Sequence, residues 1–167
     1  MPERAVASAS DVPGQRRPPA VSSSDALQLI AFGLGEEWYA MEVSHVRGIE
    51  PRTEITPVPK APDWLVGVFN LHGAIVPAID LAPIFGLDSS ERSDSWLLVV
   101  FHWDGNQAAL LVDSVDEMYE VPRASLGPQI GGMNGTRADL LMGQVRVRDR
   151  LIEVVNMRAL LASLMEG

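Results

Sequence analysis

One half of this chain repeats the other, and that duplication constrains the fold more than any single motif. At an offset of 69 positions, Phe32, Met41, Val43, Val46 and Ile49 fall on Phe101, Leu110, Val112, Val115 and Met118. At an offset of 76, Gly67, Ile75, Val76, Ile79, Asp80, Leu81, Ile84 and Phe85 fall on Gly143, Leu151, Ile152, Val155, Asn156, Met157, Leu160 and Leu161. The residues agree in character rather than identity. The change of offset assigns about seven extra residues to the glycine-rich stretch of the second half, where an insertion is tolerated.

Val66 to Leu81 is the clearest unit of the repeat. Val66, Val68 and Asn70 alternate with Gly67, Phe69 and Leu71, His72-Gly73 breaks the run, and Ala74 to Ile79 is nearly all apolar. The pattern is strand, turn, strand. Gly73 reaches positive φ at no steric cost, so the second strand can fold straight back on the first. Asp80 then offers a short acceptor to cap a helical turn, with Leu81, Ile84 and Phe85 on one face and Gly86 as its stop.

The other segments read as short strands. These are Leu27–Phe32, Trp38–Val43, Gly48–Glu50, Trp96–Trp103, Gln107–Val112, Met118–Val121, Leu140–Val147 and Leu151–Val155. Helical turns are expected at Ser44–Arg47 and Asp113–Glu117, and Asn156 caps a closing helix. Each half then has about five strands and one capped helix, too little sheet for a sandwich and too many edges to leave open. The expected fold class is all-β with short helices, as two small barrels packed through an apolar seam. The first would span about 26–90 and the second about 95–155, with the closing helix at 156–166. Residues 1–25, rich in Pro, Ser and Ala without an apolar period, read as a disordered arm.

Composition narrows the function classes. A 47% hydrophobic fraction over 167 residues supports a real core, and with no cysteine there is neither a disulfide framework nor a thiolate metal site. A net charge of -9 with a single lysine, Lys60, argues against a general nucleic-acid binder. No apolar run approaches a membrane span or a secretion signal, so a cytoplasmic protein without direct membrane insertion is expected.

The run Gly67-Val68-Phe69-Asn70-Leu71-His72-Gly73-Ala74-Ile75-Val76-Pro77-Ala78-Ile79-Asp80-Leu81 resembles the G-V-x-N-L-R-G-x-I-V-P-x-x-D-L signature of the CheW family, the coupling proteins of bacterial chemotaxis. The strand order from Leu27 onward is also similar to that family. The resemblance implies two pseudo-symmetric five-stranded barrels of SH3-like type, no catalytic activity and no cofactor. It implies an adaptor that joins a CheA-type histidine kinase to the cytoplasmic tips of chemoreceptors in a membrane-associated array. Position by position, the receptor groove would involve Val46, Gly48 and Ile49 with Gly67, Asn70, Leu71, His72 and Gly73. The family usually has Arg where His72 stands and often an acid where Gly48 stands. Loss of both together reads as loss of a paired interaction, since one orphaned buried charge is costly.

Other features have plainer readings beside their functional ones. His45, His72 and His102 lack the spacing of a helical metal site, and Asp104, Asp113 and Asp116 sit where acids cap turns. Arg146, Arg148 and Arg150 would share one strand face if the strand is regular, as a solvated face or as a patch for an acidic partner. Trp38, Trp96 and Trp103 read as core or seam, whereas Trp64, after a proline-rich loop, is a candidate interface anchor. Alternatives to flagellar chemotaxis are a scaffold for a non-flagellar chemosensory pathway or, from another class, a ligand- or nucleic-acid-binding small barrel. No Ser-His-Asp spacing, phosphate loop or metal cluster marks an enzyme.

Overall fold

The computed structural model describes residues 25–87, 94–128 and 138–166. Nearly all of the arm, most of the polar linker and the body of the glycine-rich loop lie outside the described residues. In order, the elements are β1 (Ala26–Leu34), β2 (Glu37–Glu42), β3 (Val46–Pro51), β4 (Leu65–Leu71), β5 (Ala74–Asp80), α1 (Ala82–Phe85), β6 (Leu97–Trp103), β7 (Asn106–Val112), β8 (Ser114–Pro122), β9 (Leu141–Val147), β10 (Arg150–Val155) and α2 (Met157–Glu166).

The strands form two five-stranded sheets, in the orders β8-β1-β2-β10-β9 and β3-β6-β7-β5-β4. Replacing β1–β5 by β6–β10, and the reverse, turns one order into the other. The repeat holds at the level of single pairs. Ile30↔Met41 in the first sheet matches Val99↔Leu110 in the second, and Gly143↔Val154 matches Gly67↔Ala78. The parallel contacts Val154↔Ala40 and Ala78↔Ala109 match as well.

The expected boundary between the units, one barrel at 26–90 and another at 95–155, is corrected by this topology. Each sheet takes the first two strands of one half and the last three of the other. Only Val43–His45 separates β2 from β3, and Asp113 alone separates β7 from β8, and at each point the chain crosses to the opposite sheet. The repeat makes β3 and β8 alike in character, so apolar pattern alone does not tell which equivalent neighbour each one pairs with.

Each sheet buries one face in its own core. Leu27, Leu29, Ala40, Val121, Val145 and Ile152 fill the first, and Phe69, Val76, Leu98, Val100 and Leu111 the second. The other faces meet in a seam built on Phe32, Tyr39, Met41, Phe101 and Leu110. Tyr39 stacks between Phe32 and Phe85, with ring centroids 6.3 and 5.1 Å away. Both helices seal this seam through Phe85 and through Met157, Leu160 and Leu164. Their caps follow the expected chemistry. The Ala82 N–H donates to Asp80 Oδ1 at 3.0 Å, the Ala159 N–H to Asn156 Oδ1 at 3.1 Å, and Gly86 ends α1 at φ 73°.

Three local expectations change. A short 3₁₀ turn occurs at Val43–His45, but Asp113–Glu117 is not helical: the Asp113 N–H already donates to the Gly33 carbonyl at 2.9 Å, and β8 begins at Ser114. Asp113 Oδ2 instead accepts the Gly35 N–H at 2.6 Å and fastens the β1–β2 turn. All four tryptophans are half-buried at core margins rather than enclosed.

On β10, Glu153 stands beside Tyr39 of β2. Burial, and then the nearby Glu37 carboxylate, push its carboxyl above the usual range, against an opposing hydrogen bond from Gln144. A carboxyl raised in the folded state favours folding while protonated, and that advantage is lost as pH rises from the unfolded value toward the folded one. Glu153→Gln is therefore expected to raise Tm at pH 7 by roughly 2 °C, with the gain fading below about pH 4. Thermal melts across that range check it; an equal or lower Tm at pH 7 counts against it.

Candidate partner-docking site

Strands β3 and β4 are the two edges of the second sheet. β3 and β7 both run antiparallel to β6, and β5 runs parallel to β7, so the starts of β3 and β5 lie at one end of the sheet. Val46 opens β3 at that end, where the β4–β5 turn lies at His72 and Gly73, with φ values of 52° and 91°, and Gly48 and Ile49 follow along the β3 edge. Asn70 fastens the turn, its Oδ1 accepting the Gly73 N–H at 3.2 Å. Near the start of β3 the register with β6 shifts, Val46 facing Phe101 and Gly48 facing Val100, so Arg47 bulges. A bulge re-aims side chains at a sheet rim.

The first sheet shows what the equivalent positions do when charged. Its β8 has the matching irregularity, with Asp116 and Glu117 between Val115 and Met118, and its β9–β10 turn carries Arg148 at φ 52°. Arg148 pairs with Glu117 at 3.1 Å, and Arg150 pairs with Asp116 while lying 3.8 Å over the Trp38 ring. Asp116 also accepts the Tyr119 hydroxyl at 2.8 Å; that bond, with Arg150 behind it, holds its carboxyl below the usual range. By the two offsets, Arg148 and Glu117 correspond to His72 and Gly48. Positions 72 and 48, a histidine and a glycine, therefore match two that are ion-paired in the other copy.

Several of the expected residues are exposed here. His72, Gly73, Asn70 and Ile49 face solvent, and a Cβ on Gly48 would meet nothing within 4 Å. Val46 and Leu71 are half-buried and pack against the seam and the second core. Gly67 has a structural role inside the fold. It is buried at φ 156°, and a Cβ there would lie 2.3 Å from the Thr56 carbonyl oxygen. Its bareness lets Thr56 bridge to Val68, through hydrogen bonds of 2.8 and 2.9 Å, and cover the β4 edge.

Ile75 and Met118 were not among the residues singled out, yet they are 67% and 61% exposed. Both could have been found in the sequence. Ile75 alternates with the buried Val76 beside the turn, and Met118 is the repeat image of Ile49.

The arginines do not form one face. Arg146 pairs with Leu151 and Arg150 with Val147, which puts them on opposite faces, and Arg148 lies in the turn. Trp64 is half-buried and lines a cleft of about 420 Å³ with Pro62, Pro83, Ile84 and Leu164. His45 packs on Trp103 at 4.9 Å, and no group of three His, Cys, Asp or Glu among the described residues could hold a metal ion.

Comparison with known proteins gives one consistent result. The family model described as CheW-like domain matches residues 28–165. The chemotaxis protein CheW of Rhizobium meliloti is 27% identical over 136 residues, covering 81% of this chain and 88% of that protein. The Helicobacter pylori chemotaxis protein CheW is 29% identical over 140 residues, covering 83% and 84%. The solved scaffolding protein TtCheW from Thermoanaerobacter tengcongensis superposes with a TM-score of 0.70 at 26% identity, covering 77% of this chain and 83% of that one.

Proposed function

This chain belongs to the CheW-like domain family, and from that membership we propose that it couples a CheA-type histidine kinase to the cytoplasmic tip of a chemoreceptor, as a non-catalytic adaptor in a signalling array. The observation that carries the reading is the set of exposed residues on the second sheet, Ile49 on the β3 edge and His72, Gly73 and Ile75 at the β4–β5 turn, with an open Gly48. A partner helix laid there gains apolar contact from the two isoleucines and close backbone approach at the glycines. Among the described residues no helix is long and apolar enough to cross a membrane, so attachment to the array would come through these protein contacts.

The glycine and histidine at 48 and 72, in place of the family's usual acid and arginine, favour a second reading, service to a receptor outside the usual chemotaxis set, with surface motility or another process as output. Both readings predict the same complex. Mixing the chain with the kinase's regulatory domain and a receptor-tip fragment should give a ternary species by size-exclusion chromatography. Ile75→Asp is expected to weaken tip binding about tenfold and leave kinase binding intact. Failure to bind either partner would remove the adaptor reading, and tight binding to nucleic acid alone would favour the small-barrel alternative.

A further inference from the structure

The two copies of the repeat treat one rim in opposite ways. In the first sheet, adjacent acids Asp116 and Glu117 are each matched by an arginine from the neighbouring hairpin. In the second sheet Arg47 and Gly48 stand in the places of the two acids, and Ala74 and His72 in the places of the two arginines. Arg47 is exposed, and its side chain has no ion pair or hydrogen bond among the described residues. A fold that carries a charge of -9 thus leaves a guanidinium without an acid beside empty space at Gly48.

We infer that Arg47 is a specificity-determining residue that takes a carboxylate side chain from the docked receptor tip, with Gly48 leaving room for it. This rests on the adaptor reading. A guanidinium presents two parallel N–H donors in a plane, which fits a carboxylate and which an ammonium does not reproduce. The first sheet closes the equivalent charges on itself, whereas the second leaves its cation for an incoming partner, and complementary charge across an interface governs partner choice more than raw affinity.

The test is a double-mutant cycle by calorimetry, using the full chain and Arg47→Ala against a receptor-tip fragment and the same fragment with its Glu and Asp changed to Gln and Asn. Arg47→Ala should weaken binding of the unmodified fragment about tenfold and reduce its salt dependence. It should have no further effect on the amide fragment, and Arg47→Lys should recover only part of the loss. Its melt should match that of the parent, because the side chain has no partner to lose. Equal affinity of parent and Arg47→Ala for the unmodified fragment overturns the inference while the adaptor reading stands. A loss confined to the kinase domain overturns it too. No binding of the tip fragment by the parent chain overturns the adaptor reading and this inference together.

Discussion

Residues 25–87 and 94–166, made as separate chains, are each expected to be unfolded alone and to assemble into one native-like species when mixed. The first piece holds β1 to β5, but β1 pairs with β8 and β2 with β10, so its first two strands lose one neighbour each. Its β3 loses β6, and its β5 loses β7. Neither core is complete in either piece, because Leu27 and Val145 share one and Phe69 and Val100 the other. Two-stranded remnants are marginal in water. Circular dichroism and tryptophan fluorescence on each fragment and on the equimolar mixture would measure this. A cooperative melt from 25–87 alone would mean that each half folds as its own barrel.

The second large effect is expected at Gly67. Its φ of 156° is disfavoured for a residue with a side chain, and an added methyl would meet Thr56 O at 2.3 Å and an Ile55 methyl carbon at 2.8 Å. Backbone is the obstacle, so no rotamer change relieves it. Gly67→Ala should cost about 3–4 kcal/mol and lower Tm by roughly 10 °C. Gly48→Ala is the contrast: its methyl meets nothing, so the change should fall within about 0.5 kcal/mol of zero. Urea titrations of the two variants decide the matter; a mild effect at Gly67 would show that the Thr56 bridge yields easily.

Much of the fold was legible because each half spells it out twice. The β4–β5 hairpin, its His72-Gly73 turn and the Asp80 and Asn156 caps stand where alternation and short acceptors put them. The exchange of strands was not legible, since β3 and β8 are near-equivalent in pattern and only three-dimensional closure distinguishes their neighbours. At Asp113-Ser114-Val115-Asp116 a helix start was expected because Asp is a good cap, and a single-residue crossing to the opposite sheet prevailed. At the candidate site, the hairpin turn was legible from the motif, and Val46 and Ile49 were proposed from the family resemblance. The internal role of Gly67 was not legible, because a glycine needed for backbone approach within the fold and one left open to a partner look the same in a sequence. Arg47 was overlooked for a related reason. A lone arginine carries no signal until its counterpart, Asp116, is seen in an ion pair.

The chain passes between the sheets twice near the middle of the molecule, over only a few residues each time. Paired domains joined by a slack linker are expected to swing relative to one another. Here Val43–His45 and Asp113 act as two rivets through an apolar seam, so hinge and sliding motions would both require breaking sheet pairs. Whatever binds the rim of one sheet is thereby held at a set distance and angle from whatever binds the other. Under the adaptor reading the protein would serve as a stiff strut, and any give between signalling states would come from the molecules at its two ends.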